Sequence, residues 1–341
     1  MSETGTVLVT GGSGFIGGWC VISLLQRGYT VRATVRDLAR EADVRAAIAS
    51  VVDPGNRLSV HAANLTSDDG WDAAAEGAEF VLHVASPLGV PEPRNPDDLI
   101  TPARDGALRV VSAAIKAGVE RVVMTSSVAA MNPDSRARTV SADETAWTDP
   151  YDPGAGAYTR SKTLAERAAW DLVASSGRST TLATVNPGLV LGPVFSRDFS
   201  DSVQVVQRLL TGKVPGVPRL GFCIVDVRDV ADLHIRAMTA PEAAGERFIA
   251  AGDFAWMADL AALLRARLGA QASKVPTARA PDFVLRLASL FDRDLKSVTP
   301  SLGQRRDFSS EKAKRVLGWT PRPMDETVLD CARSLIAAGL A

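Results

Sequence analysis

A chain of 341 residues, 46% of them hydrophobic, carries enough apolar material for a sizeable core and does not have a disordered composition. Lys+Arg 38 against Asp+Glu 39 leaves a net charge of -1, so there is no basic field for nucleic acid and no basic cluster for a membrane surface. Cys20, Cys223 and Cys331 form neither a disulfide framework nor a zinc spacing, and no apolar run is long enough to span a bilayer.

In chain order, residues 6–10 form an apolar β-type run that leads into Gly11-x-x-Gly14-x-x-Gly17, and a helical pattern covers 15–27. Strand, spaced glycines and helix in that order mark a dinucleotide pyrophosphate site. Gly11 is expected to permit the tight turn, Gly14 to let the backbone approach the pyrophosphate, and Gly17 to let the helix lie close to the sheet. The helix N-terminus, at Phe15 and Ile16, offers free N–H groups to the phosphates. A second strand, 30–35, ends at Arg36, about twenty residues past the glycines, where an NAD site places a carboxylate. A guanidinium there suits a 2′-phosphate, with Arg40 close behind. Asp37 is adjacent, and strand alternation is expected to turn it away.

Helices at 42–52, 71–76, 97–117 and 157–175 alternate with strands at 57–61, 80–84, 121–125 and 180–185. This alternation predicts an α/β fold, a doubly wound parallel sheet of Rossmann type. After Asn186-Pro187-Gly188 the texture changes to proline- and glycine-rich punctuation, followed by helical stretches at 202–210, 230–239, 257–268, 282–290, 310–317 and 325–338. One further strand is expected at 246–251. The expected division is a dinucleotide-binding domain over 1–186 and a smaller, mostly helical substrate region over 187–341.

Tyr158 and Lys162 lie four residues apart, hence on one face of a helix. A free tyrosine, with a pKa of about 10, is a poor proton donor at neutral pH, and a neighbouring ammonium together with the positive nicotinamide ring of an oxidised cofactor lowers that value. Ser126 and Ser127 close the fifth strand, where a hydroxyl can donate to an oxygen on which charge develops. His61, His83 and His234 read as structural histidines, and no metal site is expected.

Together, Thr10-Gly-Gly-Ser-Gly-Phe-Ile-Gly17, Ser127, Tyr158-x-x-x-Lys162 and Asn186-Pro-Gly188 resemble the extended short-chain dehydrogenase/reductases. Gly28-Tyr-Thr-Val-Arg-Ala-Thr-Val-Arg-Asp37, Ser161-Lys-Thr-Leu-Ala-Glu166, Asn186-Pro-Gly-Leu-Val-Leu-Gly-Pro193 and Asp229-Val-Ala-Asp-Leu-His-Ile235 look like the dihydroflavonol reductase-like branch. The run ending Ala168-Ala-Trp170 is similar to its microbial aldehyde and carbonyl reductases. The resemblance implies NADPH-dependent reduction of a carbonyl. Ser127 would polarise the carbonyl, Tyr158 would deliver the proton, and Lys162 would hold the nicotinamide ribose. Val84, Ala85 and Ser86 would line the middle of the cofactor, Asn64 and Leu65 the adenine, and Pro187, Gly188 and Val190 the nicotinamide. Asn132 aligns with an asparagine that meets substrate in plant enzymes, beside Ser127 and Tyr158.

The loop after Met131 is otherwise not plant-like, and Gly154-Ala-Gly-Ala157 replaces the cinnamoyl-CoA reductase signature. Flavonoids and CoA esters are therefore not the expected substrates. An aryl or otherwise apolar aldehyde or ketone is expected instead, with Phe195, Phe199, Phe222, Phe283 and Phe291 available to a pocket formed by loops 88–95, 131–138, 195–203 and 217–222. A nucleotide-sugar epimerase or dehydratase is the alternative, which Arg36 disfavours. A non-catalytic NADP-binding protein is the third reading, which the intact Tyr158 and Lys162 disfavour. A short polar start before the first strand predicts no leader and a cytoplasmic protein. Neither a nucleic-acid nor a membrane partner is expected, and monomer and homodimer stay open.

Overall fold

The structure, a computed structural model, describes residues 5–87, 93, 95–214, 216–291 and 298–341. Its spine is a seven-stranded sheet built from β1 (Thr6–Thr10), β2 (Thr30–Val35), β3 (Leu58–Ala62), β4 (Phe80–His83), β5 (Arg121–Thr125), β7 (Thr181–Pro187) and β10 (Arg247–Ala250). The strand order is β10-β7-β5-β4-β1-β2-β3, every neighbour parallel. The strands are near-continuous apolar runs because both faces are covered. Their two-residue period splits them between two cores. Val7 and Val9 of β1 and Phe80 and Leu82 of β4 face one, while Leu8 and Val81 face the other.

The first face is covered by α1 (Phe15–Gln26), α2 (Glu41–Ala49) and α7 (Val227–Thr239), the second by α3 (Trp71–Ala75), α4 (Asp97–Lys116) and α5 (Ala157–Ser175). From β1 the chain steps to β2 and β3, then returns across β1 to β4. The resulting crevice at the carboxyl ends of β1 and β4 is the topological switch point where such folds bind ligands.

The later part of the chain holds α6 (Asp201–Thr211), α8 (Met257–Leu268), α9 (Asp282–Ala288), α10 (Glu311–Leu317) and α11 (Met324–Ala337). It also holds strands that local pattern does not reveal. β8 (Leu189–Leu191), β9 (Gly221–Asp226) and β11 (Phe254–Trp256) make a three-stranded sheet, and β6 (Thr139–Ala142) pairs with β12 (Arg305–Phe308). Each is three to six residues long and finds its partner far along the chain, so no local period announces it. Among the described residues no helix is long and apolar enough to cross a membrane.

Candidate active site

Gly11 closes the β1 turn in the left-handed region, at φ +69, where a side chain is strained. A Cβ on Gly17 would lie 2.2 Å from the Gly11 carbonyl oxygen. The close packing that Gly17 permits is thus against the turn itself, not the sheet as expected. A Cβ on Gly14 would meet only that same oxygen, at 3.4 Å. Protein packing therefore does not demand glycine there. Gly14 caps α1 with no side-chain hydrogen bond, leaving the first N–H groups available to an anion. Phe15 is buried in the core and Ile16 packs partly against it, so both meet the crevice through their backbone.

The crevice wall is tied together by Thr10. Its Oγ1 accepts from the N–H groups of Val84 and Ala85, each at 3.0 Å, and donates to His83 Nδ1 at 2.9 Å. Burial holds His83 down at about 3, with Lys162 adding to the effect. His234 likewise donates from Nδ1 to Val230 O and accepts from Thr125 Oγ1, both at 2.7 Å. Both are satisfied structural histidines. Val84, Ala85 and Ser86 follow β4 at the crevice, half-buried.

Arg36 is exposed at the end of β2, and among the described residues it meets no hydrogen-bond or ion-pair partner. Asp37 is engaged instead as a cap: its carboxylate accepts from Ala39 N at 2.9 Å. Arg40 is paired with Asp198 at 2.7 Å, both side chains roughly half exposed. This pair borders a cavity of about 310 Å³ whose lining also includes Gly12, Ser13, Val44 and Phe195. Asp198 carried no signal in the sequence because the contact spans 158 positions.

Asn64 is exposed, its Oδ1 accepting from Thr66 N and Oγ1 at 3.1 Å in a local turn. Leu65 packs against α4, where a Cβ on Gly106 would come within 2.8 Å of it. Pro187 is buried and Gly188 half-buried, with the Cys223 carbonyl close enough that a Cβ on Gly188 would sit 2.3 Å away. Val190 lies buried in β8 beside Val225, a core position.

The hydroxyl side chains singled out in the sequence, Ser127 and Tyr158, come together where β5 and α5 meet. Ser127 Oγ accepts from Ala129 N at 3.1 Å, which orients it at the start of a 3₁₀ turn. Ser126 points the other way, donating to buried Glu166 at 2.5 Å. Tyr158 keeps 37% of its surface exposed. Burial of its hydroxyl end nevertheless pushes the phenol above its ordinary value, a hydrogen bond with Ser127 opposes this, and Asp201 adds to it. Burial outweighs the Ser127 hydrogen bond, so the phenol lies above its ordinary value. Lys162 lies on the same helix, 5% exposed. Burial draws its ammonium down to about 8, against the pull of Glu166.

Asn132 is buried, its N–H donating to Thr148 Oγ1 at 2.8 Å, while its Oδ1 has no hydrogen-bond partner. Such an orphan acceptor is uncommon in a folded interior. Of the five phenylalanines, Phe195 stacks edge-on against Trp19 at 5.8 Å and is committed to packing. Phe199 and Phe222 are partly buried, and Phe283 and Phe291 stand 73% and 89% exposed. Of loop 88–95, residues 88–92 and 94 lie outside the described residues. Among the described residues no cluster of His, Cys, Asp or Glu could hold a metal ion.

A family model described as the NAD dependent epimerase/dehydratase family matches residues 7–251. The chain is 37% identical to a dihydroflavonol 4-reductase of Zea mays over 78% of its own length and 75% of that protein. It is 36% identical to cinnamoyl-CoA reductase 2 of Arabidopsis thaliana, over 72% of each. In fold it matches a yeast methylglyoxal/isovaleraldehyde reductase complexed with NADPH, with TM-score 0.81 and 24% identity over 98% of this chain and 100% of that one. The glycine turn, the Ser127–Tyr158 contact and these likenesses agree: this chain belongs to the NAD dependent epimerase/dehydratase family, the extended short-chain dehydrogenase/reductases.

Proposed function

We propose that the chain is an NADPH-dependent oxidoreductase that reduces an aldehyde or ketone, with an aryl or otherwise apolar group, to an alcohol. The observation that carries this reading is the grouping of Ser127 at the end of β5 with Tyr158 on α5, close enough for Ser127 to lower the phenol against its burial, and with buried Lys162 one turn further along the same helix. When bound, NADPH supplies the hydride. The hydroxyls of Ser127 and Tyr158 hold the carbonyl oxygen, and Tyr158 gives up its proton as that oxygen becomes an alkoxide. The Lys162 ammonium stabilises the phenolate that remains. Burial keeps the phenol protonated at neutral pH, the form that reduction requires.

The residues fit the cofactor. The turn from Gly11 to Gly17 and the α1 N-terminus receive the pyrophosphate, and Arg36, with Arg40, receives the 2′-phosphate. Val84 to Ser86, after β4, and Pro187 and Gly188, at the end of β7, lie on the other side of β1 from Arg36, where the middle and the nicotinamide end of the cofactor would run. The yeast reductase of the same fold is an NADPH complex, which supports the choice of cofactor. Asn132, with its unpaired Oδ1, accepts a hydrogen bond from the substrate. A cytoplasmic, reducing compartment suits three buried free thiols.

The test is loss of NADPH absorbance with a panel of aryl ketones, aliphatic β-ketoesters, aldehydes, dihydroflavonols, cinnamoyl-CoA esters and UDP- or dTDP-sugars. Turnover is expected with the simple aldehydes or ketones. Tyr158→Phe removes one hydroxyl and little volume, so it should fold, bind NADPH and lose nearly all turnover. Activity confined to the nucleotide sugars would overturn the reading in favour of an epimerase or dehydratase. A Tyr158→Phe protein with most of its activity would remove that residue from the chemistry.

A further inference from the structure

One turn beyond Lys162 on α5, Glu166 is fully buried and joins several segments. Its Oε2 accepts from Ser126 Oγ at 2.5 Å and from Asn186 Nδ2 at 2.9 Å. Its Oε1 accepts from Thr184 Oγ1 at 3.1 Å and from Arg247 Nε at 2.7 Å. These donors arrive from β5, β7 and β10, so one carboxylate ties the helix bearing Tyr158 to three strands. The Asn186 amide continues the chain of contacts to the Ser127 carbonyl at 3.2 Å. Arg247 is itself fixed: its Nη1 donates to the carbonyls of Glu144 and Ala146 at 2.9 and 2.8 Å, and its guanidinium lies 3.7 Å from the Trp147 ring centre.

Burying an ion pair is costly, and replacing one by apolar groups of similar volume is often neutral or stabilising. Stability alone therefore does not account for placing this pair at the back of the reactive hydroxyls. Asn186 is fully buried with its side chain turned inward to the carboxylate.

We propose that Glu166 is a positioning residue: its carboxylate, clamped by Arg247, sets the Ser127 end of β5 and the Asn186–Gly188 end of β7 at a fixed separation from the Tyr158/Lys162 face of α5. This inference rests on the carbonyl-reductase reading. Asn186, Thr184 and Ser126 are the hydrogen-bonding side chains through which the carboxylate acts. The same negative charge favours the Lys162 ammonium, against the burial that draws it down to about 8. Its loss makes Lys162 release its proton at lower pH.

The test compares Glu166→Gln with the double variant Glu166→Gln/Arg247→Met. The single change leaves Arg247 buried without a counter-charge, so its Tm should fall. The double change removes both charges and should recover most of that loss. Both variants should bind NADPH within twofold of wild type and yet lose at least 10-fold in kcat. The alkaline limb of their pH–kcat profiles should also move to lower pH. Recovery of kcat together with Tm in the double variant, with the limb unmoved, would reduce Glu166 to a structural role and overturn the proposal. Wild type run on the carbonyl panel separates the two readings, since an inactive wild type defeats the reductase assignment and not the coupling. The coupling is then read without turnover, from the Lys162 titration by ¹⁵N-lysine NMR, assigned with Lys162→Met. A downward shift in Glu166→Gln is expected, and an unmoved titration refutes the coupling.

Discussion

Replacing Arg36 by alanine tests the cofactor assignment at its most exposed point. The guanidinium ends β2 without an internal partner, so its removal strands no buried group. Surface changes of that kind alter stability by about 0.5 kcal/mol or less. A charge-assisted hydrogen bond contributes roughly 1.5–3 kcal/mol, which corresponds to about 10–150-fold in affinity. Arg36→Ala should therefore weaken NADPH by that factor and leave NADH nearly unchanged, because only NADPH carries the 2′-phosphate. Arg40 differs, since it must first release Asp198 from a 2.7 Å pair. Exposed pairs are worth about 0–1 kcal/mol. Asp198→Asn should then tighten NADPH by up to about fivefold, again without changing NADH. Both are measured as Kd by cofactor fluorescence titration and as KM for each cofactor at fixed ionic strength. An NADPH/NADH ratio that stays within twofold of wild type in Arg36→Ala refutes the phosphate assignment. Weaker NADPH binding in Asp198→Asn refutes the competition between carboxylate and phosphate.

Ser127→Ala should lower kcat by about 10²–10³, the usual effect of removing one donor to a developing oxyanion, while Ser126→Ala should cost far less because its hydroxyl serves Glu166. Steady-state kinetics decides, and a reversed order would exchange their roles. Stability should decline as pH falls below about 6.5. Burial holds His83 at about 3 and His234 at about 4, below the ordinary 6.5, so both stay neutral when folded. The unfolded chain binds protons that the folded chain refuses, which makes this stability complete above 6.5 and lost towards the folded values, by up to about 1.4 kcal/mol per pH unit for each histidine. Thermal melts between pH 7.5 and 5 should show a shallower pH dependence for His234→Gln than for wild type; identical slopes would contradict the account.

Local chemistry alone determined the central sheet and the order of its parts. Apolar runs, helical periods and the Gly11–Gly17 spacing are read within a few residues of one another, and they place β1, α1, β2, β4, β5 and α5 within a few positions of where they lie. The same locality made Tyr158 and Lys162 visible, because four residues always return to one helix face, and it made Arg36 visible at a strand end. Ser126 and Ser127 were visible as hydroxyls at a strand end, and the hydrogen bonds of the two send them to different partners.

Tertiary structure decided whatever depends on distant partners. β6 pairs with β12, and β9 with β8 and β11, through contacts no short window contains. Glu166 was legible only as one letter of a motif; its junction with Ser126, Asn186 and Arg247 spans 20 to 81 positions. Arg40 looked as free as Arg36 until the fold brought Asp198 to it. Burial, which raises the Tyr158 phenol and lowers the Lys162 ammonium, belongs to the packed molecule as a whole. Residue type and spacing state which chemistry is available, while desolvation and long-range pairing, which exist only after folding, set the charge and orientation in which it is used.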